Sequence, residues 1–175
     1  LPLAKQQKAA AAAFGCVASV AIVRADGHVL LTRETRGGKT LLNLPGGKGE
    51  AGETLGKTAA REAHEETGKK LTQRTRDAIE AITNWVECSG KQGYVGVLRL
   101  EADDPDATVD TRFDRAAANV NQGSKTVQES IEWHPLSHLW DQYWRAAKMH
   151  YTGQHRAVAA VRASDEDPIA AADEA

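Results

Sequence analysis

The order of apolar and polar positions divides the chain into β-rich pieces and two helical ones. Residues 14–24 form a run of small and β-branched side chains that turns at Asp26-Gly27 and returns through 28–33, a hairpin pattern. Leu41-Leu42-Asn43-Leu44 adds a short strand before Pro45-Gly46-Gly47. From 54 to 67 only Gly56 interrupts a helical composition, and Gly68 supplies the stop. Leu55, Ala59 and Ala63 recur every four residues, a slender stripe that lets this helix lie close to a sheet. Residues 78–88 and 94–100 are rich in β-branched and aromatic residues around Ser89-Gly90-Lys91-Gln92-Gly93, which predicts a second hairpin; 130–133 predicts one more strand. After Pro135, the three-and-four spacing of Leu136, Leu139, Trp140, Tyr143, Trp144 and Ala147 predicts an amphipathic helix with its aromatic stripe in the core.

Between these elements, 101–128 reads as a polar loop, 1–13 as a flexible lead-in of Lys, Gln and Ala, and 164–175 as an acidic disordered tail. One domain over 14–163 is expected. Strands and helices in this order predict an α/β class, a mixed β-sheet sandwiched between α-helices (an α/β/α sandwich).

Length and charge narrow the functional classes. The 175 residues are enough for one domain with its own core. Lys and Arg total 22 against 24 Asp and Glu, a net charge of −2, which excludes a uniformly basic nucleic-acid coat and a polyacidic chain. Removing the five acids of the tail leaves 19 acids against 22 bases, so the body is mildly basic. Two cysteines are too few for a disulfide-stapled miniprotein and lack zinc spacing; Cys16 and Cys88 lie on predicted strands and can pair only if those strands adjoin. The longest uncharged stretch, 9–23, falls short of the ~18 residues of a membrane span. Lys5 and Lys8 before it imitate a secretory signal, but the hairpin reading is preferred. A start at Leu1 is compatible with a processed precursor, a secreted mature form or a trimmed chain. A soluble protein, cytoplasmic or secreted after processing, is expected, and its oligomeric state is left open.

The chemistry concentrates around the central helix. Glu62, Glu65 and Glu66 stand at i, i+3 and i+4, within one ~100° arc of the helix surface. Like charges so placed repel by ~0.2–0.5 kcal/mol per pair unless a cation sits among them, and hard oxygen donors suit Mg²⁺ or Mn²⁺. A solvated acidic face is the plain alternative. Against it stands the glycine-rich segment before the helix, whose backbone N–H groups are expected to face phosphate oxygens.

Gly47, five residues, Glu53, seven residues, and Arg61-Glu62-Ala63-His64-Glu65-Glu66-Thr67-Gly68 together resemble the Nudix box. Lys69 departs from the apolar residue usual in that family, and Leu71 is expected to take over its packing role. The resemblance implies a Nudix fold and a hydrolase that cleaves a diphosphate linked to another moiety with the help of Mg²⁺ or Mn²⁺. It implies that Glu62, Glu65, Glu66 and the Gly46 carbonyl hold the metal, that Arg61 braces the glutamates and that Glu53 orders loop and helix. Glu65 or Glu66 would take the proton of water; Glu129 is the candidate from a later loop.

Substrate recognition lies outside the box. Arg33, Arg36, Lys39 and Lys48 converge on its approach, and Arg145, Lys148, His150, His155, Arg156 and Arg162 cluster near the end of the fold. Such groups bind several phosphates when they line a site, and are ordinary surface charge otherwise. The expected partner is therefore a small, polyphosphorylated molecule, an inositol pyrophosphate first. Nucleoside triphosphates, including oxidised ones, and capped RNA are the alternatives, the last being the sole case that involves nucleic acid. No membrane partner is expected. A Nudix-fold binding module without turnover is the contrasting class.

Overall fold

The computed structural model describes residues 15–68, 70–87, 93–108 and 126–136. Its strands are β1 (Val17–Arg24), β2 (His28–Arg36), β3 (Lys39–Asn43), β4 (Gly46–Lys48), β5 (Trp85–Glu87), β6 (Gly93–Leu100) and β7 (Thr126–Pro135). Helices α1 (Leu55–Glu66) and α2 (Gln73–Glu80) and a 3₁₀ turn (Pro105–Thr108) complete the described elements. All seven strands belong to one mixed sheet.

β1 and β2 form the expected hairpin, with Gly27 at a φ of 80° that favours glycine. They adjoin where Val23 faces Val29, and then diverge onto different neighbours. Along one edge β1 pairs in parallel with β6, while the start of its other edge takes β4 antiparallel. β2 carries β7 along its length and β3 from Thr32 onward, and β5 lies antiparallel to β6.

Alternation along β1 sends Ala18, Val20 and Ile22 into one core and Ala21 and Val23 into a second, on the opposite face. The first core receives Leu55, Ala59, Ala60 and Ala63 of α1 and Ile79 of α2, so both helices cover the same face. Leu71 joins it, in the packing role expected of it, while Lys69 lies outside the described residues. The second core gathers Val29, Leu31, Leu44 and Val95, with Leu136 packed against it. The amphipathic helix expected from 136 to 147, the lead-in, the tail and Cys88 lie outside the described residues; among those described, Cys16 is a free thiol.

Three expectations need correction. Residues 78–88 are not one strand: α2 occupies 73–80, and among the described residues of this range only Trp85–Glu87 forms a strand. The helix forms because the Thr72 hydroxyl accepts from the Thr75 N–H at 3.3 Å, while Asp106 accepts from the Thr72 N–H at 3.1 Å and its hydroxyl at 2.7 Å. Residues 101–128 are not wholly a solvated loop either, since Asp106 and Ala107 are buried and β7 begins at Thr126. Finally, β2 runs on to Arg36 and β7 to Pro135. Trp85 is a core residue, its indole N–H donating to the Ile82 carbonyl at 2.9 Å. No helix among the described residues is long and apolar enough to cross a membrane.

Candidate active site

Part of the glycine-rich segment before α1 is a strand. Gly46, Gly47 and Lys48 lie opposite Ser19, Ala18 and Val17 as strand β4, and Thr54 caps the helix by accepting from the Lys57 N–H at 3.2 Å. The chain's own hydroxyl thus serves the helix start. Glycine is required at 46 and 47 by close approach. A Cβ on Gly46 would collide with Ser19, and one on Gly47 would come within 2.5 Å of the Glu62 carboxyl. β4 therefore packs directly beneath the acidic face of α1.

Arg61 is the hub of that face. Its Nε and Nη2 donate to the two oxygens of Glu53 at 2.9 and 3.0 Å, a fork geometry that lysine cannot reproduce. Nη1 donates to Glu62 at 2.9 Å and stands 3.8 Å from Glu65, and Nη2 also reaches the Lys48 carbonyl at 3.2 Å. Glu53 additionally accepts from the Glu50 N–H at 2.7 Å and the Thr58 hydroxyl at 3.2 Å. Arg61 first, then these neutral donors, hold the Glu53 carboxyl below its ordinary pKa against the opposing cost of burial, and the Arg61 guanidinium is raised in turn. For Glu62 burial outweighs Arg61, and its pKa rises.

Glu66 is held at both ends. Its Oε2 accepts from the Gly46 N–H at 3.0 Å, and its backbone carbonyl accepts from the Gln128 side-chain amide of β7 at 2.8 Å. Burial pushes its pKa well up, and the charges of Glu62, Glu34 and Glu65 push it further, against the Gly46 N–H. Glu34 and Gln128 face one another in register on β2 and β7. Sequence reading missed both. Glu34 was discoverable, since it alternates with Leu30 and Thr32 on the face that packs toward α1, whereas nothing in the local pattern marks Gln128.

Among the described residues no three acidic, His or Cys side chains converge into a ready-made metal cage. The contacts within the face explain this: Arg61 draws Glu62 and approaches Glu65, while Glu66 turns to Gly46. The donor chemistry nevertheless fits a hard divalent cation. Glu62, Glu65 and Glu66 present oxygens on one helix face, and two of them carry raised pKa values that a cation would relieve.

Of the basic residues expected at this face, Arg33 lies on the other side of the sheet. Arg33 has the parity of Leu31, whose side chain belongs to the core opposite α1, and its guanidinium grips Glu132 through bonds of 2.5 and 3.0 Å. Convergence of Arg33 on the box is thus corrected: alternation turns it away and Glu132 engages it. Arg36 and Lys39 are paired in register at the β2–β3 turn, Lys48 is exposed on β4, and Arg156 with its basic neighbours lies outside the described residues. Glu129 belongs to strand β7 instead of a loop, as the extra residue of a β-bulge between Gln128 and Ser130.

A mixed sheet with a carboxylate-bearing helix seated on a glycine strand defines the class, and comparison with known proteins agrees. The NUDIX domain model matches residues 14–161, and the chain belongs to that family. Over 47 residues, 27% of this chain, it is 53% identical to phosphatase NudJ of Escherichia coli strain K12 and of Shigella flexneri. That match spans 31% of the relatives' length, less than a third. Among solved structures, a NUDIX hydrolase from Nitrosomonas europaea aligns with a TM-score of 0.49 at 21% identity, covering 86% of this chain and 90% of that one. A MutT protein from Methanosarcina mazei Go1 aligns at 0.43 and 19%, covering 73% and 81%.

Proposed function

We propose that the chain is a divalent-cation-dependent pyrophosphohydrolase that cleaves a phosphoanhydride bond by attack of water on phosphorus. The observation that carries this reading is Glu66, a carboxyl driven up in pKa by burial and by three neighbouring carboxylates. Such crowding costs stability unless a cation joins it. Glu62, Glu65, Glu66 and the Gly46 carbonyl would hold Mg²⁺ or Mn²⁺, which when bound polarises a phosphoryl group and lowers the pKa of water. Arg61, locked to Glu53, keeps Glu62 in place and ties the Lys48 carbonyl at the end of β4 to the helix. Glu65, Glu66 or Glu129 receives the proton as the new P–O bond forms and the bridging P–O bond breaks.

The phosphatase name of the matched relatives supports a phosphorylated substrate. Within that class an inositol pyrophosphate is our first choice. Its support is the exposed Lys48 beside the box and the Arg36 and Lys39 pair at the β2–β3 turn, together with the basic sequence around Arg156. Arg33 no longer contributes. Nucleoside triphosphates, oxidised ones included, and capped RNA follow.

The test is release of phosphate or pyrophosphate from inositol pyrophosphates, nucleotides, dinucleotides and capped RNA, each with Mg²⁺ and with EDTA. Mg²⁺-dependent turnover, highest in kcat/KM on an inositol pyrophosphate, is expected. Turnover confined to nucleotides or caps would reassign the substrate. Binding without turnover on every compound would leave a ligand-binding module.

A further inference from the structure

The bulge at Glu129 has a geometric effect on its neighbour. Cross-strand partners in a sheet project to the same face. Ile131 lies opposite Thr32 and belongs to the core beneath α1, so Ser130, opposite Arg33, faces the other way. Strict alternation would send residue 128 to the same side as Ser130. The extra residue resets the phase, and Gln128 comes to lie opposite Glu34 on the α1 face. There it is buried, with its amide 2.8 Å from the Glu66 carbonyl.

That carbonyl is one of the last four of α1, which have no donor within the helix. The other three are met locally: Thr67 serves Ala63 through its N–H at 3.0 Å and His64 through its hydroxyl at 3.1 Å, and the Gly68 N–H serves Glu65 at 3.0 Å. For Glu66 the donor comes from β7. The same residue's carboxylate is held by Gly46 of β4, so strands from the two diverging edges of the sheet meet on one glutamate.

We infer that Gln128 is a positioning residue: through the Glu129 bulge it fixes the end of α1, and thereby sets the Glu66 carboxylate for cation binding. This rests on the reading of Glu66 as a metal ligand. Groups that orient metal ligands typically change metal affinity or activity by ~10–100-fold when removed.

The experiment compares wild type with Gln128→Met, which keeps volume and removes the donor. Free Mn²⁺ is followed by electron paramagnetic resonance, with melting temperature recorded in parallel. A folded variant that binds Mn²⁺ roughly tenfold more weakly, with kcat reduced and substrate KM near wild type, is the expected result. Unchanged Mn²⁺ affinity in a folded Gln128→Met protein overturns the inference, as does absence of Mn²⁺ binding by wild type. Should Gln128→Met fail to fold, Gln128→Asn, whose amide falls short of the carbonyl, replaces it with the same expected and overturning results. Wild type that binds Mn²⁺ but hydrolyses no diphosphate would refute the proposed activity alone, because the Mn²⁺ comparison still decides the role of Gln128.

Discussion

Glu66 is where opposing local forces meet. Desolvation and three carboxylates favour its neutral form, while one backbone N–H favours the charged one. Glutamine at this position keeps the shape and the acceptor oxygen for Gly46 but removes the charge. Glu66→Gln is therefore expected to lower turnover by at least about 100-fold, with a melting temperature in EDTA equal to or above wild type. Wild-type-like kcat in the variant would refute the assigned role. Glu62, Glu65 and Glu66 were legible because helical spacing converts directly into a shared face, whereas Arg61 and Glu53 stood out only through the resemblance to the Nudix box. Gln128 was not legible, since its direction depends on a bulge that no period-two pattern announces. Arg33 misled for the complementary reason: its charge is visible in the sequence, but its Glu132 partner is remote and lies on another strand.

The pairing of α1 with α2 shows how an element can be invisible locally and still be specified. Of the eight residues of α2 only Thr75 and Ile79 are buried, so no apolar stripe marks it, and the nearby β-branched residues imitate a strand. What forms it is the Thr72 cap, its clamp by buried Asp106, and a close approach to α1 at Gly56. A Cβ on Gly56 would run into the Glu80 carbonyl. Alanine in a helix interior ordinarily gains about 1 kcal/mol over glycine, whereas overpacking costs about 1–3 kcal/mol. Gly56→Ala should thus lose stability, by roughly 1–2 kcal/mol net, in urea denaturation; a stabilised variant would show that α2 does not seat on this glycine. β7 was under-read in a similar way, because Gln128, Glu129 and Ser130 present three polar residues in succession where the bulge interrupts alternation.

At the scale of the whole molecule, net charge says less than its distribution. The acids expected in the polar loop 101–128 do not all belong to solvent, since Asp106 is buried and bonded to Thr72. Two sets of carboxylates then oppose each other in pH. Glu132, held at about 2 chiefly by Arg33, and Glu53, lowered chiefly by Arg61, stabilise the fold fully above their unfolded pKa. That contribution is lost as pH falls below about 4.5 toward 2. Glu62 and Glu66 are raised, so without a cation they weaken the fold at neutral pH and cease to do so as pH falls through their folded values. In EDTA, stability should therefore rise from pH 7 toward pH 5 and decline below pH 4.5. Mg²⁺ at 100 times its dissociation constant should add about 2.7 kcal/mol at pH 7 and less at pH 5, where protons compete for the same oxygens. Melting temperatures across this range, with and without Mg²⁺, test both signs together. A flat EDTA profile between pH 7 and 5 would remove the case that the carboxylate cluster is strained, and a Mg²⁺ shift independent of pH would move the cation away from Glu62 and Glu66.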